Sequence, residues 1–188
     1  GLTGNTQYTY AIIPYSWNGV NDSTYAYLIN AAPSASATTF ASAPVAQPTS
    51  LSFSNITCNG MTLTWRNAST IPAGYLVLRS SGATAPDADP VSGTEYSIGG
   101  TLGNATVAYI GTDTTLAVTS LIDATNYNYK IYSYNGSGNN NVSYLTTSPL
   151  SRAQMTSIPA APTATSGTNM TLTEFQANWS ASACAGNG

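Results

Sequence analysis

Apolar residues in this chain fall at every second position over short runs, the period of a strand with one face buried. Met61-Thr-Leu63-Thr-Trp65 alternates strictly, and comparable patterns predict strands at 51–53, 61–65, 75–78, 106–110, 116–118 and 127–134, with a last one inside 144–155. Turn-forming groups separate them: Cys58-Asn59-Gly60, Ser81-Gly82, Asp89-Pro90, Gly99-Gly100 and the Asn/Gly-rich stretch 135–141. Short strands punctuated in this way predict an all-β sandwich with Greek-key connections.

The same pattern repeats. Leu2, Thr6, Tyr8, Tyr10, Ile12 and Tyr15 return in register as Leu121, Thr125, Tyr127, Tyr129, Ile131 and Tyr134. Tyr27-Leu28 is answered by Tyr144-Leu145, Pro44 by Pro159 and Trp65 by Trp179, the spacing shrinking as loops differ in length. The chain therefore divides into the C-terminal part of one unit (1–43), one complete unit (44–157) and the N-terminal part of a third (158–188). Proline-bearing joints, Pro44 with Pro48 and Pro159 with Pro162, sit between the units, where stiff extended linkers are expected. Cut edges are expected at both partial units, ordered only when neighbouring sequence or another chain completes them.

Composition narrows the setting. Charged residues make up 6% of the 188, against roughly a quarter in an ordinary soluble domain. Ser, Thr, Asn, Gly and Tyr must supply the polar surface instead, and the scarcity of helix-favouring surface residues leaves almost no helix to expect. The four basic residues, Arg66, Arg79, Lys130 and Arg152, form no cationic cluster, and the net charge is -3, so a nucleic-acid partner is not expected. No apolar run is long enough for a membrane-spanning helix, so membrane insertion is not expected either. The chain opens Gly1-Leu2-Thr3 without a leader or initiator Met, so a preceding portion is expected. So weakly charged a surface depends on hydroxyls, amides or attached sugar for solubility, which suits an extracellular location.

Two stretches carry a family resemblance. Met61-Thr-Leu63-Thr-Trp65 resembles the second strand of a fibronectin type III domain with its core tryptophan. Leu121, Thr125, Tyr127, Tyr129 and Ile131 resemble its sixth strand, entered through a tyrosine corner. The resemblance implies tandem fibronectin type III or immunoglobulin-like sandwiches in which Trp65, Trp179, Tyr8 and Tyr127 are structural core residues, the two tyrosines at the corners. The complete unit is longer than the family's usual hundred or so residues, and the excess lies between Ser80 and Thr106. The phrasing Gly74-Tyr-Leu-Val-Leu-Arg-Ser80, Pro90-Val-Ser-Gly-Thr-Glu-Tyr96 and Tyr144-Leu-Thr-Thr-Ser-Pro149 is similar to modules of large secreted and cell-surface proteins of Bacteroidetes, exported by the type IX system.

Chemistry is sparse. The chain has no histidine, which removes imidazole-based triads and zinc helices together. No catalytic, cofactor-binding or metal-ligating residue is expected. Asp87 and Asp89, the closest carboxylates in sequence, read as a solvated proline-bounded loop; as a calcium site they would have only Glu95 as a third carboxylate. Cys58 and Cys184 fit no metal spacing and fall in different units, so two free or separately buried thiols are preferred to a mutual bridge. Trp17 stands where a loop leaves a strand; packing against a neighbouring domain or loop is the preferred reading, and contact with a sugar or protein partner is the other. Asp22-Ser23-Thr24 and Asp113-Thr114-Thr115 resemble the O-glycosylation sequon of Bacteroidetes, making Ser23 and Thr114 candidate acceptors; each also reads as an Asx-type turn.

The function expected is that of non-catalytic repeats in an extracellular, adhesin-like or filamentous bacterial surface protein, serving as a spacer. Neighbouring repeats are the expected partners, with glycans or other surface proteins beside them. The alternative is an accessory, carbohydrate-binding module of a secreted multidomain hydrolase.

Overall fold

Met61, Leu63 and Trp65 are all buried, while Thr64 and Arg66, which alternate with them, reach solvent, so the strand resolves into a dry face and a wet one. The structure, a computed structural model, describes residues 1–138 and 141–181. Its N-terminal part holds β1 (Gln7–Ala11), β2 (Tyr15–Ser16), a 3-10 turn (Asp22–Thr24), β3 (Ala26–Tyr27) and β4 (Ser34–Thr38). These form two antiparallel ladders, β1 with β4 and β2 with β3.

The central part holds β5 (Thr49–Ser54), β6 (Met61–Arg66), β7 (Gly74–Ser81), β8 (Thr101–Leu102), β9 (Ala105–Gly111), β10 (Thr115–Val118), β11 (Asn126–Asn135), β12 (Ser143–Tyr144) and β13 (Leu150–Met155). Strands β10, β6 and β5 make a three-stranded sheet. The other sheet runs β12-β11-β7-β9-β8, with β13 also paired to β11. Leu51, Met61, Leu63, Trp65 and Val118 from the first sheet meet Tyr75, Val77, Tyr127, Tyr129 and Ile131 from the second. That is the interior of a two-layer antiparallel sandwich.

The larger sheet is buried on both faces. Gly74-Tyr-Leu-Val-Leu in β7 is buried without a break, because Tyr75 and Val77 face the sandwich while Leu76 and Leu78 enter a second apolar cluster with Val107, Tyr132, Val142 and Tyr144. A strand covered on both sides reads as a continuous apolar run and not as an alternation. The cover is the insert between β7 and β9, whose Tyr96 and Leu102 pack on that cluster. A bulge in β9 helps: Val77 pairs with Tyr109 and Leu78 with Val107, so Ala108 and Tyr109 both pack on the inner core while Val107 keeps to the outer one.

Hydrogen bonds fix the insert. Asp87 and Asn104 bond each other's main chain reciprocally, the Asp87 amide donating to Asn104 Oδ1 at 3.1 Å and the Asn104 amide to Asp87 Oδ1 at 2.9 Å. The Tyr132 hydroxyl donates to Asp89 Oδ1 at 2.6 Å, and Lys130 stands 4.0 Å from the same oxygen. The two carboxylates of the proline-bounded loop thus anchor a chain segment to the sheet it covers.

At the C-terminal end, β14 (Thr163–Thr168) and β15 (Gln176–Ser180) form one antiparallel ladder. Trp179, expected in a core, is 67% exposed, because among the described residues no second sheet faces this ladder. Cys58 is buried and disulfide-bonded, which corrects the reading of free thiols for this residue. Cys184 lies outside the described residues. Among the described residues no helix is long and apolar enough to cross a membrane.

Candidate functional site

Local hydrogen bonding repeats along the chain. The Tyr127 hydroxyl accepts from the Ile122 amide at 2.9 Å, and the Tyr8 hydroxyl accepts from the Thr3 amide at 2.8 Å. In each unit the residue three before the tyrosine, Ala124 or Asn5, has a positive φ, 47° and 53°. Beside each corner a threonine locks the last strand to the bend. Thr156 Oγ1 accepts from the Thr125 amide at 3.0 Å and donates to the Ile122 carbonyl at 2.7 Å. Thr39 Oγ1 accepts from the Thr6 amide at 3.1 Å and donates to the Thr3 carbonyl at 2.6 Å.

The C-terminal ladder copies the central unit's first hairpin in the same way. Asn55 and Asn169 both have positive φ. The amide of Thr57 donates to the Gly60 carbonyl, and that of Thr171 to the Glu174 carbonyl, both at 2.8 Å. Trp65 and Trp179 therefore hold equivalent places, one covered and one bare.

Hydrogen bonds form a joint between the N-terminal residues and the central sandwich. The Ala41 amide donates to the Asn141 carbonyl at 2.9 Å, Asn135 Nδ2 to the Ser42 carbonyl at 2.9 Å and Asn141 Nδ2 to Asn5 Oδ1 at 2.8 Å. The Phe40 ring lies against Gly93, whose φ of 85° and closeness to the ring leave no room for a Cβ. Past the joint, Gln47 pins the linker to the central sheet. Its Nε2 donates to the Leu145 carbonyl at 2.6 Å and its Oε1 accepts from the Ser133 amide at 2.9 Å. Pro44 and Pro48 on either side are buried. The prolines were legible in the sequence but the amide side chains were not, since nothing local marks an Asn or Gln as bonded to a distant main-chain group.

Trp17 lies in the loop after β2. Its ring stacks on Tyr25 with centroids 5.4 Å apart and planes 10° from parallel, its Nε1 donates to the Asn21 carbonyl at 3.0 Å, and it stays 43% exposed. Tyr15 and Tyr27 continue the cluster. This pair corresponds to Tyr134 and Tyr144 of the central unit: each couple is cross-strand paired with ring centroids 5.9 Å apart.

Ser23 occupies the middle of the exposed 3-10 turn, its amide donating to Asn21 Oδ1 at 3.0 Å. Thr114 is half-buried in the turn before β10, and its carbonyl accepts from the Trp65 amide at 2.9 Å. Among the described residues no three His, Cys, Asp or Glu side chains converge as a metal site would require.

No curated protein matches the chain. Among solved structures it is similar to a two-domain fibronectin type III segment of chicken tenascin, with 22% identity, 83% of this chain and 68% of that one covered, and a TM-score of 0.39. It is also similar to a computationally redesigned β-sandwich protein, with 22% identity, 59% and 89% coverage and a TM-score of 0.40. A third is a fibronectin type III domain of human collagen XX, with 22% identity, 59% and 100% coverage and a TM-score of 0.32. The family model for the fibronectin type III domain matches residues 46–148. Domains of that family serve structure and interaction and are generally non-catalytic. Matched over more than half its length by that model, and folded there as a two-sheet sandwich with a tyrosine corner, the chain belongs to the fibronectin type III family.

Proposed function

We propose that this chain is a rod-forming stretch of an extracellular bacterial surface protein, a non-catalytic spacer whose units 1–43, 44–157 and 158–188 belong to successive sandwiches of one array. The observation that carries this reading is the joint between the first two units. A linker whose two prolines, Pro44 and Pro48, are buried, Gln47 bonded to the sheet, and the Asn5, Asn135 and Asn141 side chains together hold one unit against the next. Short, hydrogen-bonded joints convert a string of domains into a stiff rod, whereas a free linker would leave each domain to tumble. Neighbouring repeats are then the chain's main partners, and the bare faces of Trp179 and of the β1–β4 ladder are those which the rest of each sandwich covers.

Three features favour an exported protein. Cys58 is disulfide-bonded, a state that persists in oxidising compartments. Charged groups are few, and Ser23 and Thr114 stand in turns of a sequon type that suits O-linked sugar. The sequence phrasing suggests a Bacteroidetes cargo of the type IX system. To test the spacer, spin labels placed on exposed positions of the first and central units should give one narrow distance distribution. Gln47→Gly combined with Asn135→Ala should broaden it; a broad distribution in the unaltered chain rules the rod out.

A second reading, an accessory carbohydrate-binding module of a secreted hydrolase, is favoured by the flat Trp17–Tyr25 stack, which offers an exposed apolar face to a sugar ring. Glycan-array binding that disappears in Trp17→Ala would support it, and an array without signal would remove it.

A further inference from the structure

The central unit contains an open cavity of about 350 Å³ that neither the corner nor the joint uses. Tyr96, Tyr134 and Tyr144 line it together with Ile110 and Val142, and Glu95 stands at its rim. The rings do not lie flat against one another. Tyr96 meets Tyr144 at 64° with centroids 5.8 Å apart, and Tyr134 meets Tyr144 at 55° with centroids 5.9 Å apart. Three rings so inclined form the sides of a cup, unlike Trp17 and Tyr25, which stack nearly parallel.

The cup is held from behind. The Tyr144 hydroxyl donates to the Thr94 carbonyl at 3.1 Å, and the Tyr96 hydroxyl accepts from the Val91 amide at 3.1 Å. Both phenols are thus tied back to the insert. Glu95 Oε1 accepts from the Gly138 amide, which fixes the carboxylate beside the opening. Among the described residues Glu95 is the one charged residue lining the cavity. Burial raises the Tyr134 and Tyr144 hydroxyl pKa values, the neighbouring tyrosines add to this, and the Glu95 charge makes a smaller contribution in the same direction.

We propose that the Tyr96–Tyr134–Tyr144 cup, with Glu95 at its rim, is a binding site for an organic cation, an alkylated ammonium group. The warrant is charge complementarity. Ring faces carry negative electrostatic potential, and several aromatic surfaces inclined around one point attract a compact, weakly hydrated cation while a carboxylate balances its charge. A neutral pyranose would need a flat apolar face such as Trp17 and Tyr25 present. The site does not rest on the spacer reading, since a rod can carry it or lack it without loss of stiffness. It does adjoin the joint: Gly136 borders both the cavity and Ala41.

Titration of the whole chain with tetramethylammonium, followed by nuclear magnetic resonance of the tyrosine ring signals, tests this. Saturable shifts should appear at Tyr96, Tyr134 and Tyr144, and tert-butanol, an uncharged isostere with the same number of heavy atoms around one centre, should give none. Glu95→Gln, an exposed-residue change, should weaken binding by about fivefold and remove most of its salt dependence. Tyr96→Ala should abolish binding; its amide spectrum outside the insert serves as the folding check, and Tyr134→Leu provides a second variant. Equal binding of the uncharged isostere, saturable binding of a methyl glycoside in its place, unchanged affinity in Glu95→Gln, or no saturable shift with tetramethylammonium overturns the proposal.

Discussion

The Tyr127 hydroxyl accepts the Ile122 amide proton at 2.9 Å and thereby ties the bend before β11 to the strand's own first turn. The same bond joins Tyr8 and Thr3 in the preceding unit. Tyr127→Phe keeps the buried ring and removes only the acceptor. Loss of one part-buried hydrogen bond should cost about 1 kcal/mol, read as a lower urea midpoint with an unchanged slope. A midpoint that does not move means the bond contributes nothing to the corner.

Thr156 is 1% exposed, and its hydroxyl both receives from Thr125 and gives to Ile122. Thr156→Val is nearly isosteric but strands a donor and an acceptor at once, so roughly 2 to 3 kcal/mol of stability should go. Thr156→Ser, which keeps both bonds, should recover most of it. Equal losses in the two variants would assign the effect to packing rather than to the hydroxyl.

Trp65 and Trp179 hold equivalent positions in their units and differ in cover, 2% against 67% exposed. Trp65→Ala should cost about 3 to 5 kcal/mol, the range for truncating a buried aromatic. Trp179→Ala should fall within about 0.5 kcal/mol, as surface changes do. Thermal unfolding of the two variants side by side decides this, and similar costs would show that the C-terminal ladder is covered after all.

Tyr129 is fully buried, and its hydroxyl finds no hydrogen-bond partner among the described residues. Burial disfavours the phenolate and pushes its pKa from 10 up to about 12. The neutral form is the one folding favours. Stability from this group is therefore complete below pH 10 and is lost as the pH climbs from 10 towards 12. Tyr132 shifts in the same direction through burial and its bond to Asp89. Phenolate absorbance should rise in two stages, exposed tyrosines first and the buried ones together with unfolding. Tyr129→Phe, which removes an unpaired polar atom without opening a cavity, should leave stability equal or higher at neutral pH and lessen the alkaline loss. Ordinary single-stage titration of every tyrosine contradicts this account.

The strands of the central sandwich were legible in the pattern of side chains because each of its two sheets has at least one face against the core. Met61, Leu63 and Trp65 needed no coordinates to be assigned to one side. The insert between Ser80 and Thr106 was not legible in that way. Asp87 and Asp89 are spaced like a solvated loop, and only in three dimensions do they meet Asn104 and Tyr132, partners far along the chain. Trp17 stood out by its loop position, whereas Tyr96, Tyr134 and Tyr144 passed for ordinary strand and turn tyrosines, since nothing local records that the three converge.

By itself the sequence determined which residues alternate, where the chain turns and that one pattern is written more than once, for these depend on backbone geometry over a few neighbouring positions. Tertiary structure alone decided that Gly74-Tyr-Leu-Val-Leu lies between two apolar layers, that Trp179 is bare while Trp65 is covered, and that Asn5 and Asn141 meet across a joint. Burial and long-range pairing depend on what arrives from distant parts of the chain, and a local pattern cannot specify that.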